Sequence, residues 1–387
     1  MPHTPDVPLE EARALIERAI DKAEQLGLRG SVAVVGGSGV LVSASRMDAS
    51  GAGGMARARS KAWIAATQQV PSAEHLRRMT TIAPPVAAGF VACSPEARFP
   101  GAGGLPIRAP DGGLVTGGLA ASGAAVSPFY PEGTDPLRMI ADGRPANPED
   151  LVVHYALGLP YVGQHGDDEQ RWLAAFGSWP AGSPAGLGMA EAPAARDQEE
   201  HRWAVAVADQ VIAEARRRGV QVAVAITDHY GEPIQQDWMT NAPTAAVAVA
   251  VAVAAAAGAF QCPSSELATR YAGAGGGVLA DVLSSRAGGL GYAVLPVAGG
   301  LPVVEGGRVV AGLGVAGRDP GMSEEIAAAV LAGQGRAAAG GQGRGPGDSQ
   351  GRGPGDSQGR GPGHGQTRGP GHGQAQASGH GQAQAAG

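Results

Sequence analysis

The stretch SVAVVGGSGVLVSASRMD (31–48) lies beside AVAITDHYGEPIQQDWMT (223–240) when Gly39 is set against Gly231, an offset of 192 residues. The same offset pairs Gly27 with Gly219, Met47 with Met239, and QVPSAE (69–74) with QCPSSE (261–266). One register held without a gap over that distance marks a tandem duplication. Two glycine-rich phrases extend the match: FPGAGGLPIRAPDGGLVTGGLAASG (99–123) and LPVAGGLPVVEGGRVVAGLGVAG (295–317). Their small drift from the main offset corresponds to loop insertions between matched elements.

Each copy reads alike. Leu9, Ala12, Leu15, Ile16, Ala19, Ile20 and Ala23 recur at helical spacing and predict an amphipathic first helix. β-rich runs on either side of Gly39 and of Gly231 predict a hairpin in each copy. A second, Ala-rich helix follows (55–68 and 244–260), and a third starts at each Pro-Ser turn. Strands separated by Gly turns come next, including one expected in YAVLPVAGG (292–300), and SEEIAAAVLAG (323–333) predicts a closing helix capped by its serine. The fold class expected is α/β in the α+β sense: two antiparallel sheets flanked by helices.

Composition narrows the function. The chain has 387 residues, a net charge of −6 and a pI near 5.9, which argues against nucleic acid as a partner. The longest apolar run, 242–260, is rich in Ala and reads as a buried helix, not a membrane span. Two cysteines without metal spacing and an acidic amphipathic start at the N-terminus suggest a cytoplasmic protein. From about residue 334 a near-octapeptide Gly/Pro repeat replaces the apolar pattern and predicts a disordered tail. The layout expected is copy one at 8–160, a connecting segment at 161–198, copy two at 199–333 and the tail at 334–387. Aromatics concentrate in 124–198, where they suit arms, a pocket roof or extra core.

The order helix, hairpin, Ala-rich helix, Pro-Ser turn and GGLP…GG phrase resembles the GlcG/HbpS family, which also includes the C-terminal domain of PduO-type adenosyltransferases. The resemblance covers 204–331 well and 9–123 more loosely. It implies a five-stranded antiparallel sheet with helices on its faces, assembly as a homo-oligomer, and haem as the bound cofactor. It also exposes departures. Where many members carry D-x-G-G-H-L, copy two has DHYGEP, keeping Asp228 and placing Glu232 where the family has His. Copy one has GGSGVL, with neither Asp nor His. The family's lysine on the second helix survives as Lys61, but its counterpart is Val253.

His229, between Asp228 and Tyr230 in the hairpin turn, is the candidate axial haem ligand or general base. His201, in QEEHRW, reads as a solvated helix end, and His154 as a packed residue. His165 with Asp167 and Asp168 lacks further metal ligands, and His364, His372 and His380 recur every eight residues in the tail. The GGLP phrases are no phosphate loops, since they lack the P-loop lysine and lie between strands. In the related fold they border the ligand pocket, so Gly299, Gly300 and Pro302, with Gly103, Gly104 and Pro106, are pocket candidates. Three functions stand side by side: a haem- or tetrapyrrole-handling protein, an enzyme or accessory acting on a small organic molecule, and a structural block that oligomerises. The sequence leaves open whether either copy is catalytic.

Overall fold

The computed structural model describes residues 6–26, 28–93, 98–123, 139–141, 144–162, 198–270 and 294–334. In copy one, α1 (Leu9–Gln25) leads into the hairpin β1 (Ser31–Gly36) and β2 (Leu41–Arg46). The helices α2 (Gly54–Gln68), α3 (Ser72–Thr80) and α4 (Pro84–Ala92) precede the strands β3 (Gly104–Arg108) and β4 (Val115–Ser122). A separate ribbon, β5 (Met139–Ala141) with β6 (Arg144–Ala146), runs into α5 (Pro148–Ala156). Copy two consists of α6 (Glu199–Arg217), β7 (Ala223–Asp228), β8 (Pro233–Trp238), α7 (Ala246–Phe260) and α8 (Ser264–Arg270). It ends with β9 (Gly300–Glu305), β10 (Arg308–Ala316) and α9 (Pro320–Gly333).

The eight long strands form one sheet in the order β3-β4-β1-β2-β8-β7-β10-β9, every neighbour antiparallel. The order is a palindrome of matched elements. At its centre β2 pairs with β8, Ser43 opposite Asp237, Ala44 opposite Gln236 and Ser45 opposite Gln235. Ala44 and Gln236 are equivalent positions of the two copies, so a local two-fold axis passes between them. The pairing is self-complementary, as in an isologous dimer interface, and covers an edge that each copy would otherwise leave open.

Among the described residues each copy supplies four strands to this sheet, where the family resemblance implied five. Val294–Pro296, expected within a strand, is not one. Leu295 N donates to Ala252 O (3.4 Å), so the segment follows α7, and Pro296 has no amide hydrogen for a ladder. The closing helix also starts earlier than its serine suggested. Asp319 is the cap, accepting from the backbone N–H of Gly321 and Met322 (2.8 and 3.2 Å), with Pro320 at the first helical position. The tail and most of 161–198 lie outside the described residues.

Side chains alternate through the sheet. Val32, Val34, Val224 and Ile226 join a core with α1, α5, α6 and α9. Ala33, Val35, Ala223 and Ala225 face α2 and α7. On that second face small residues let the helices ride on the strand backbone. A Cβ at Gly300, Gly312 or Gly314 would collide with the carbonyls of Val253, Ala254 or Ala250. This close approach accounts for the Ala-rich run at 242–260, most of which is buried in α7. Among the described residues no helix is long and apolar enough to cross a membrane.

Lys61, 2% exposed, reaches from α2 to an ion pair with Glu149 of α5 and donates to Ala121 O at 3.3 Å. Glu149 also accepts from Gly123 N (2.8 Å), and Asp150 from Gly103 N (2.6 Å). Copy two does without the pair: Val253 replaces the lysine, and Glu324 of α9 accepts from Gly299 N (3.0 Å). Removing one partner of a buried pair leaves a charge without compensation. Lys61→Met should therefore cost about 3–5 kcal/mol in urea denaturation, and adding Glu149→Gln should recover part of that loss. Gly300→Ala should cost about 1–3 kcal/mol by overpacking alone, in the same assay.

Candidate functional site

α1 and α6 run antiparallel over the seam, as their cross-links show. Glu10 pairs with Arg216, and Arg13, further along α1, pairs with Asp209, nearer the start of α6. Arg13 also forks onto the buried Asp237 of β8 through Nε (3.0 Å) and Nη2 (2.8 Å). Asp237 accepts further from Ser43 Oγ and Gln235 Nε2, both at 2.8 Å. Burial works against the Arg13 charge, but the bonds to Asp237 and then Asp209 outweigh it and raise its pKa. This network fixes α1 to the strand of the opposite copy.

Beside it lies a cavity of about 500 Å³, within the size range of small-molecule sites. Ile16, Ile20, Val205 and Ala206 supply apolar wall. Glu17, Asp21 and Glu24 line the α1 side, while Gln198, His201 and Arg202 line the start of α6.

The start of α6 is held from the other copy. Asp48, just after β2, accepts from the backbone N–H of Glu200 (3.1 Å) and His201 (2.9 Å). The Asp48 N–H donates to Gln198 Oε1 at 2.8 Å. Gln198 is only 2% exposed, and its Nε2 has no hydrogen-bond partner. His201 Nε2 is likewise buried without a partner. Burial pushes the His201 pKa below the ordinary imidazole value, offset in part by Asp48, so the ring is neutral at neutral pH. A neutral imidazole nitrogen and an amide donor thus both stand unpaired at residues that line one cavity. Among the described residues no group of three or more His, Cys, Asp or Glu could hold a metal ion.

The residues singled out from sequence stand elsewhere. Asp228 closes its own turn, accepting from Tyr230 N (2.9 Å) and Glu232 N (3.0 Å), and binds Arg46 of copy one at 2.9 Å. Glu232 accepts from Gly53 N at 2.8 Å, so both carboxylates link the copies. His229 is exposed and lies against Tyr230, with ring centroids 3.8 Å apart. Gly103 and Gly299 take positive φ (103° and 123°) at matched corners beneath α5 and α9. Next to them, Gly104 N and Gly300 N donate to Ser72 Oγ and Ser264 Oγ (3.0 and 2.9 Å). Pro106 and Pro302 continue the edge strands, and Lys61 is committed to Glu149. None of these residues lines the α1–α6 cavity. His154 is buried as expected, packed edge-on against Tyr161. His165 and the tail histidines lie outside the described residues. His201, expected at a solvated end, is instead at the cavity, because Asp48 and Gln198 draw the start of α6 onto copy one.

A family model described as haem degrading protein HbpS-like matches residues 7–127 and again 200–332. The two matches span more than half of the chain, which therefore belongs to the HbpS-like family as a tandem duplication. Among solved structures, HbpS is 31% identical over 34% of this chain and 86% of its own, with a TM-score of 0.30. A double mutant of Streptomyces reticuli HbpS is 30% identical over 40% of this chain and 97% of its own, TM-score 0.30. The PduOC:haem complex is 23% identical over 34% and 91%, also at 0.30. No curated protein matches.

His75, His154 and His201 all have pKa values lowered first by burial. Each therefore binds its proton more readily in the unfolded chain, and stability rises with pH. Their contribution is full above about pH 6.5, the unfolded imidazole value, and falls as pH drops toward the lower folded values. Glu200, raised chiefly by burial, acts in the opposite sense around and above the ordinary carboxyl range. Melting scans should show a lower Tm at pH 5.5 than at pH 7.5, and His201→Phe should flatten that slope.

Proposed function

We propose that this member of the haem-degrading HbpS-like family binds haem, or a close tetrapyrrole relative, in the cavity between α1 and α6. The observation that carries the proposal is the neutral, unpartnered His201 Nε2 beside that cavity. Haem, when bound, supplies an iron centre that accepts a neutral nitrogen ligand. His201 would hold that centre, and the bonds from Asp48 to the start of α6 keep the imidazole in place. Ile16, Ile20 and Val205 would cover the apolar macrocycle. Arg13, tied to Asp237, keeps α1 at a fixed distance from the seam and so maintains the opening. Asp228, Glu232 and the two glycine corners serve as scaffold in this proposal. A cytoplasmic, reducing setting is part of it, supported by the free thiols Cys93 and Cys262.

His229, exposed at the hairpin turn of copy two, is the alternative iron ligand. Titration of the purified protein with hemin separates the two. A saturable Soret shift is expected, lost in His201→Ala and kept in His229→Ala. Loss in His229→Ala alone would move the site to the hairpin turn. The absence of any saturable shift would overturn haem binding and favour a colourless organic ligand.

A further inference from the structure

We infer that the duplicated chain holds one ligand per chain, in one orientation, with the ligand's carboxylates gripped by Arg202 and Gln198. The inference rests on the cavity being the binding site, as proposed above.

A two-fold arrangement of α1 and α6 would place a second cavity at the opposite end of the helix pair. The chain does not repeat the same groups at that end. At the offset of 192 residues, the counterpart of His201 is Leu9, a buried apolar residue. The counterpart of Gln198 is Asp6, whose carboxylate is occupied by Ser38 through its backbone N–H (2.9 Å) and its hydroxyl (3.1 Å). Arg202 corresponds to Glu10, and Glu24 to Arg216. Glu10 and Arg216 form an ion pair across the helices. Arg202 and Glu24, the same pair with charges exchanged, both line the cavity and form no ion pair among the described residues. One end therefore has its charges paired with each other and lacks the imidazole, while the other keeps His201 and its charges free of such a pair.

The charges of the cavity end are also divided. Glu17, Asp21 and Glu24 form a carboxylate stripe on α1, while Arg202 and the free Gln198 Nε2 lie at the start of α6. A ligand with an anionic edge is repelled from the first wall and takes charge-assisted bonds from the second. The apolar remainder then lies over Ile16, Ile20 and Val205.

Two porphyrins test this: hemin, with free carboxylates, and hemin dimethyl ester, in which they are esterified. Native mass spectrometry of the full chain should show one hemin per chain at saturation. Arg202→Glu should weaken hemin by about tenfold or more, the equivalent of one charge-assisted contact, and leave hemin dimethyl ester unchanged. Arg202 is exposed, so the variant should fold, which circular dichroism checks. Two hemins per chain, or equal weakening of both porphyrins, would overturn the inference while leaving the haem proposal standing. Failure of the unaltered chain to bind either porphyrin would overturn the proposal beneath it.

Discussion

The pairing of β2 with β8 is the contact on which the rest of the structure depends. Only three residue pairs define its register, yet they join two four-stranded sheets into one of eight. Their side chains explain the fixed register. Asp237 sits opposite Ser43 and takes bonds from Ser43, Gln235 and Arg13, so a shift of one residue would cost that buried carboxylate its bond from Ser43 across the seam. Asp228, Glu232 and Asp48 add links across the same boundary, to Arg46, to Gly53 and to the start of α6. The seam thus joins the two copies within one chain in the self-complementary way that an isologous interface joins two subunits.

The two faces of that sheet have different roles. On one, Ala and Gly reduce the surface until α2 and α7 touch the strand backbone. On the other, α1 and α6 carry larger side chains and stand over the seam, where their spacing leaves space. The glycines of the GGLP corners belong to the close-packed system, with amides held by Ser72, Ser264, Asp150 and Glu324. At the seam cavity, Gln198 and His201 each retain a buried nitrogen without a hydrogen-bond partner. Polar groups without partners are costly inside a protein, and a ligand bound as proposed above would relieve that cost.

Duplication gives freedom that a symmetric dimer lacks. In a dimer of identical copies, any change near the axis appears twice. Here Leu9 and His201, or Glu10 and Arg202, diverge independently at equivalent places. The same divergence separates Lys61, with its buried partner Glu149, from Val253, whose copy relies on Glu324.

Much of the fold was legible in the sequence, because duplication and periodicity are local or self-referential signals. The face of α1, both hairpins, the Ala-rich helices and the Pro-Ser helix starts all follow from residue spacing within a few turns. Asn147 before Pro148 marks α5 in the same way. The strand expected at Val294–Pro296 fails because a long-range bond from Leu295 to α7 competes with the ladder. The candidate site was far less legible. Motif-like residues such as Asp228, Gly103 and Gly299 drew attention through their local pattern, and the fold uses them for turns and packing. Arg13, Asp48, Gln198 and Asp237 carry no local signature, since each acquires its role from a partner on the other copy, more than a hundred residues away. The sequence by itself determined the repeated unit and its elements. Only the tertiary structure decided that the two units share one sheet and leave a cavity beside their seam, because strand-edge pairing and charge pairing across that seam depend on distances in space and not on spacing along the chain.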